Sequence, residues 1–269
     1  MSTDRLGDAP HQEFSIRIHE AITWDNIQRF LPPPGGRILD AGGGSGRWAV
    51  RLARMGYHVT LTDISASALE TARRHLSAKG LLDRVIIEQM DIRDLGDLAS
   101  DSFHLALAYD VLSCCGDPQQ AISEMARVTR PGGHVIVSVE SRFAAVQAIA
   151  AGDWERAEQI LATGQAETEQ TSPSAQPTRF FSIAEIKGYF EQHNLEIVRV
   201  VGRPVFAGRL PPEVQRKILQ QPQALERLIR LETRYASDPG WAGAAPYFEM
   251  VGLKKEESSV KLFRKVWSV

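Results

Sequence analysis

The chain has 269 residues, of which 43% are hydrophobic, and a formal net charge of −2 at pH 7. That length and apolar content suit one sizeable core, and the near-neutral balance gives no long-range attraction for nucleic acid or an anionic membrane. The two cysteines, adjacent at Cys114 and Cys115, exclude a disulfide framework and a four-cysteine zinc site, so no metal is expected and a reducing, cytoplasmic setting is. Residues 1–12 are polar and no uninterrupted apolar run approaches the roughly 20 residues of a membrane span, so neither export nor membrane insertion is expected.

In chain order, Phe14, Ile18, Ile22 and Ile27 recur at helical spacing before the stop at Pro32-Pro33-Pro34. Strands are predicted at 37–41, 58–62, 84–89, 103–109 and 133–139. Helices are predicted at 46–55, 66–79 (capped by Ser65 or Ser67) and 118–129, with a short irregular piece near 94–99. Strands alternating with helices imply a parallel sheet covered on both faces. Beyond Glu140 the pattern changes to an Ala-rich helical stretch at 143–163 and a loop of Ser/Pro/Gln composition at 163–178. A helix follows at 182–194, opened by the capping box Ser182 and Glu185. A strand at 195–206, a helix from Pro211 to about 235 and a last strand at 247–255 beside 195–206 complete the chain.

"LDAGGGSG" (39–46) puts Gly42, Gly44 and Gly46 between a strand and a helix, where backbone N–H groups can face a ligand closely. The dinucleotide fingerprint G-x-G-x-x-G would need glycine at position 47, which is Arg47; a poorer match, A-x-G-x-x-G, starts one residue earlier. Asp40, just before the loop, would repel a pyrophosphate but suit a cofactor carrying an ammonium group, such as S-adenosylmethionine. Asp63, ending the second strand, is placed for a ribose diol, a demand NAD shares. Asp91 follows the third strand, where an adenine amino group can be held beside Ile92.

With "LTDIS" (61–65), "MDIRDL" (90–95) and "ARVTRPGGHVIVS" (126–138) in order after the glycine loop, the chain resembles the class I S-adenosylmethionine-dependent methyltransferases from about residue 37 to 255. The resemblance implies a Rossmann-like α/β fold: a seven-stranded sheet, mostly parallel with an antiparallel last strand, helices on both faces, and a helical cap. It implies S-adenosylmethionine as cofactor and S-adenosylhomocysteine as product. Asp40 and Gly42, Gly44 and Gly46 would lie on the methionine moiety, Asp63 and Ile64 at the ribose, and Asp91 and Ile92 on the adenine, with Tyr109 lining the pocket.

The methyl acceptor is expected beyond the fourth strand, where "AYDVLSCC" (108–115) replaces the N-P-P-Y type motif of amino-purine methylating enzymes. Asp110 has two readings, a general base or a residue holding backbone near the cofactor. The two cysteines are expected as inert buried packing. Glu140 and Arg142 are candidates to orient an acceptor, and His19 and Tyr247 candidates to face it. The domain reading is an N-terminal helical lid segment over 1–36, a methyltransferase domain over 37–255 with a cap insertion at about 141–180, and a charged tail over 256–269. The expected partner is a small-molecule acceptor methylated on O or N by a monomer or homodimer, with no nucleic acid. The alternatives are a binding module of the same fold without turnover and an RNA methyltransferase.

Overall fold

The structure, a computed structural model, describes residues 9–150, 152–166 and 178–256. Its centre is a seven-stranded sheet. In chain order the first strands and helices are α1 (Ala9–Arg29), β1 (Arg37–Ala41), α2 (Arg47–Arg54), β2 (His58–Asp63), α3 (Ala66–Ser77), β3 (Val85–Gln89), β4 (Phe103–Tyr109), α4 (Pro118–Val128) and β5 (Thr129–Glu140). Next come α5 (Arg142–Ile149), α6 (Trp154–Thr163), the two-residue strands β6 (Gln165–Ala166) and β7 (Thr178–Arg179), α7 (Ile183–Gln192) and β8 (Leu195–Arg203). The chain closes with α8 (Pro212–Leu219), α9 (Pro222–Tyr235), α10 (Pro239–Ala244) and β9 (Tyr247–Lys254).

The strand order is β3-β2-β1-β4-β5-β9-β8. Strands β3, β2, β1, β4 and β5 pair in parallel, whereas β9, the last in the chain, runs antiparallel between β5 and β8. The expected Rossmann-like sheet with an antiparallel last strand is the one observed. Near-continuous apolar strands explain it, since a parallel strand is buried on both faces: Leu105, Ala106, Leu107 and Ala108 of β4 are all inaccessible.

One face packs under α4 and α7 around Phe103, Ile122, Met125, Phe190 and Phe248. The other packs under α2, α3 and the end of α1 around Trp48, Leu52, Leu61, Leu76 and Ile136. A third apolar group joins Phe14, Ile18 and Ile22 of α1 to Val201, Val205 and Leu225. The N-terminal helix is thus seated against β8 and α9 along its length.

Several local expectations are corrected. The helix expected from Pro211 to about 235 is two helices, because Pro222 lacks the N–H a continuing helix needs and starts α9 afresh. Strand β5 begins at Thr129, before the Pro131-Gly132-Gly133 run, with a register irregularity against β4 between Phe103 and Leu105. Helix α10 was not anticipated. Ser65 is the residue that caps α3, its hydroxyl accepting from the Ala68 N–H. Ser182 caps α7 as expected, but the Glu185 side chain leaves the capping box and pairs with Arg142 at 2.5 Å and Arg179 at 2.6 Å. Of the loop expected at 163–178, residues 167–177 lie outside the described residues.

Candidate active site

At the carboxyl ends of β1 to β4, where ligands of such sheets bind, Gly42, Asp63, Ile64, Met90, Asp91, Ile92, Arg93, Asp110, Val111 and both cysteines line a cleft of about 340 Å³. Six of the cofactor and catalytic candidates from the sequence meet there: Gly42, Asp63, Ile64, Asp91, Ile92 and Asp110. A larger groove, about 700 Å³ between α8 and α9, lies away from the strand ends.

Asp63 is the hinge of the cleft. Its Oδ2 accepts from the Gly44 N–H at 2.9 Å and its Oδ1 from the Ser65 N–H at 2.8 Å, so loop and helix α3 are fastened to the end of β2. A carboxylate has about four acceptor directions, which leaves room for a diol. Ile64 beside it is 66% exposed, an apolar surface with nothing over it. Asp91 is held by Arg93, whose Nη2 donates at 2.6 Å, and that hydrogen bond keeps the carboxyl below its ordinary range.

The glycines divide the work. A Cβ on Gly43 would fall 2.3 Å from Leu61 and 2.6 Å from Asp40, and one on Gly42 would fall 2.4 Å from Val111. Gly44 is different: at φ +55° its Cβ would meet only Asp63 Oδ2 at 3.9 Å, so the loop is open there. Gly46, at φ +80°, starts α2 and lies against Ala72 of α3. Gly43, required for packing, was not singled out in the sequence, although it belongs to the same glycine run.

Asp40 lies under the loop rather than along the cleft. It is 1% exposed and its Oδ2 accepts from the Ala49 N–H of α2 at 3.2 Å. Burial, against the opposing effect of that hydrogen bond and with help from Asp63, pushes its pKa up to about 7. Tyr109 also lies off the cleft. Its hydroxyl donates to Glu249 Oε2 at 3.2 Å and its ring tilts against Trp48, with centroids 5.8 Å apart. Cys114 is exposed and Cys115 half-buried, which corrects the expectation of buried packing, but burial of the thiols raises both, Cys115 to about 11. Neither is a thiolate at neutral pH.

Asp110 is where this cleft meets a second set of polar groups. It has φ 60°, an uncommon backbone for a residue with a side chain, and its side chain is 57% exposed. Its Oδ1 accepts from Ser138 at 2.9 Å and from Arg203 Nη2 at 2.7 Å. Arg203 is 5% exposed and also donates to Thr23 of α1 at 2.8 Å and Ser138 at 2.9 Å, while its Nε has no partner. Glu249, inaccessible, accepts from Thr23 at 2.5 Å and Asn26 at 2.7 Å and lies 3.8 Å from Arg203. Burial alone would lower the Arg203 pKa, but Glu249 and Asp110 keep it raised.

The register explains why these residues share a face. Ser138 lies opposite Glu249, Glu140 opposite Tyr247, and Arg203 opposite Tyr247 on the other side. Alternate residues of a strand point the same way, and His19, Thr23 and Asn26 recur on one side of α1. His19 meets the Tyr247 ring edge-on, centroids 5.4 Å apart. Burial, with Arg203 nearby, lowers His19 to about 4, so the imidazole is neutral. Arg142, a candidate from the sequence, is committed to Glu185 instead. The turn after Arg203 is anchored from α9: the buried Glu232 accepts the N–H groups of Val205 at 2.6 Å, Phe206 at 2.8 Å and Ala207 at 2.6 Å. Arg203, Glu249 and Glu232 carried no motif in the sequence.

Comparison with known proteins agrees with this geometry. Residues 39–137 match the family model described as a methyltransferase domain. The chain is a class I S-adenosylmethionine-dependent methyltransferase. It uses that cofactor, and the open surface over Gly44 and Ile64 beside two acceptor carboxylates fits such a group. Over 265 residues, 94% of this chain and 97% of the relative, it is 26% identical to the tRNA 5-carboxymethoxyuridine methyltransferase of Escherichia coli strain K12. Over 108 residues, 40% of this chain and 43% of the relative, it is 38% identical to the ubiquinone biosynthesis O-methyltransferase of Alkalilimnicola ehrlichii. Solved methyltransferase structures share the fold. One from Methanosarcina mazei has a TM-score of 0.62 at 20% identity, covering 86% of this chain and 98% of that one. One from Mesorhizobium loti has 0.60 at 21%, covering 87% and 99%. Among the described residues no cluster could hold a metal ion, and no helix is long and apolar enough to cross a membrane.

Proposed function

We propose that this methyltransferase acts on an oxygen or nitrogen of a small-molecule acceptor that enters between α1, the carboxyl ends of β5 and β8, and the amino end of β9 that lies between them. The observation that carries this is the junction at Asp110, where one side chain lines the cofactor cleft and is tied to Arg203 and Ser138 of the second polar cluster. In this reading Asp63 accepts from the ribose hydroxyls, Ile64 and Ile92 cover the adenine with Asp91 at its edge, and Gly42 and Gly44 let the backbone approach the methionine end. The cofactor supplies a methyl group on a positively charged sulfur. Asp40 acts through the loop it supports, as a buried anchor for α2.

The chain's own contribution is positioning, which supplies much of the rate when a methyl transfers in line between two held atoms. Arg203 fixes Asp110, Glu232 fixes the turn that follows Arg203, and the neutral His19 and Tyr247 wall the recess. The N-terminal helix is one fixed side of that recess, and the insertion at about 141–180 adjoins it through Arg142 and Glu185. Asp110 is the candidate to orient the acceptor.

A second reading places the acceptor on tRNA, and the likeness to the E. coli tRNA enzyme over 94% of this chain favours it. Incubating the protein with methyl-tritiated cofactor and, separately, a low-molecular-weight cell filtrate or bulk tRNA decides between the two. Label in the filtrate is the expected result. Label in tRNA alone overturns the small-molecule reading.

A further inference from the structure

The acceptor recess is richer in carboxylates than in cations. The titratable and charged groups of the polar cluster that would form it are His19 from α1, Tyr109 and Asp110 at the end of β4, Cys114 in the segment that follows, Glu140 from β5, Arg203 from β8, and Tyr247 and Glu249 from β9. Arg203 is the one cation among these described groups; its two terminal nitrogens are taken by Asp110, Thr23, Ser138 and Glu249, and its Nε is left as the one unpartnered donor against the Glu140 carboxylate and the Asn26 Oδ1. Glu140 differs from the other two acids. It is half-buried, shares its face of the sheet with Ser138 and Tyr247, and its carboxylate has no hydrogen bond or ion pair among the described residues. In the same cluster Asn26, 1% exposed, has its amide nitrogen on Glu249 and its Oδ1 without a donor. Acceptor atoms therefore outnumber donors, and a carboxylate or phosphate entering the recess would meet like charge in a poorly solvated place.

We propose that Glu140 selects the acceptor, and that the acceptor is an amine whose N–H donates to the Glu140 carboxylate. This rests on the methyltransferase reading above and names its substrate class. An ammonium group entering the recess gives a proton to Glu140. The freed nitrogen lone pair forms the N–C bond to the methyl carbon as the carbon–sulfur bond breaks, its electron pair staying on sulfur, and Glu140 returns its proton to solvent. Desolvation, reinforced by Asp110, raises the Glu140 pKa above the ordinary glutamate value, which makes the carboxylate a better proton acceptor than an exposed one.

The test uses the full chain, methyl-tritiated S-adenosylmethionine, bulk tRNA, and a low-molecular-weight cell filtrate divided by ion exchange into cationic, neutral and anionic pools. The expected result is label in the cationic pool that survives mild alkali, as an N-methyl group does and a methyl ester does not. Glu140→Gln should slow that labelling at least tenfold and remove the acidic limb of its pH profile, and Glu140→Asp should restore part of the rate. S-adenosylhomocysteine affinity by calorimetry should change less than twofold in both variants, which shows that they are folded. Label that is alkali-labile or confined to the neutral or anionic pool or to tRNA overturns the proposal, and so does a Glu140→Gln rate equal to wild type. No label in any pool, with S-adenosylhomocysteine still bound, overturns the reading beneath it and the proposal together.

Discussion

The two halves of the candidate active site satisfy their charges in different ways. On the β1–β3 side the acids are held by near neighbours in sequence: Asp63 by Gly44 and Ser65, Asp40 by Ala49, Asp91 by Arg93. On the β5–β9–β8 side the partners are far apart in sequence, with Thr23 and Asn26 on Glu249 and Arg203 on Asp110. The first half is a local device that can be carried on one short motif. The second exists only when the whole sheet and α1 have assembled, so its polar groups belong to stability as much as to chemistry.

The sharpest way to break this contrast is Glu249→Ala. It leaves the buried Arg203, Thr23 and Asn26 without their common acceptor, and removing one partner of a buried pair costs about 3–5 kcal/mol. Urea unfolding should show that loss, while S-adenosylhomocysteine affinity of the folded fraction stays within about twofold of wild type. If stability is unchanged, the cluster is not a cornerstone of the acceptor half.

Asp40 should give a pH signature on the cofactor side. Its folded pKa of about 7 lies above the 3.8 of an unperturbed carboxyl, so the fold favours the protonated form. That preference is fully present below pH 4 and is lost as pH rises toward 7, so this group makes the protein less stable across that window, by ~2–4 kcal/mol. Asp40→Asn should flatten that slope in unfolding free energy measured from pH 4 to 8, and an unaltered slope would refute the burial effect.

Asp63→Ala should weaken S-adenosylhomocysteine binding by about 1.5–3 kcal/mol, the worth of hydrogen bonds to a charged group, and by calorimetry NAD should bind far more weakly than the adenosyl ligands to the wild type. Gly44→Ala is expected to be milder for the fold, about 1–2 kcal/mol for a side chain at a left-handed position, yet to lower cofactor affinity because its methyl would stand in the open space over the loop. Equal affinity would mean that no ligand passes there.

The same contrast explains what could be read from the sequence. The glycine loop, the aspartates ending β2 and following β3, and the strand–helix alternation are short-range patterns, and they led to the fold, the cofactor and six residues that line the cleft. Asp40 and Tyr109, expected at the cofactor, do not line the cleft: Asp40 is drawn under the loop by Ala49 and Tyr109 to Glu249, a direction of the side chain that a strand-end position does not specify. Arg203, Glu232 and Glu249 sit in ordinary strand and helix sequence, and only pairing between β5, β9 and β8 and the packing of α1 and α9 brings them together. The helix break at Pro222 was legible in principle, since a proline at that position starts a new helix more readily than it continues one.

The diverted capping residue Glu185 has one further consequence. By gripping Arg142 at the start of α5 and Arg179 in β7, with Gln165 paired opposite Arg179, it staples the two ends of the inserted segment to each other and to the sheet edge. Chain ends so joined make a natural opening for a circular permutant with new termini between Ala166 and Thr178, because the pairing of Gln165–Ala166 with Thr178–Arg179 and the grip of Glu185 hold the two ends together without a covalent link. Such a permutant is expected to melt within a few degrees of the parent and to bind S-adenosylhomocysteine equally well, turning the insertion into a port for attaching a reporter beside the acceptor recess.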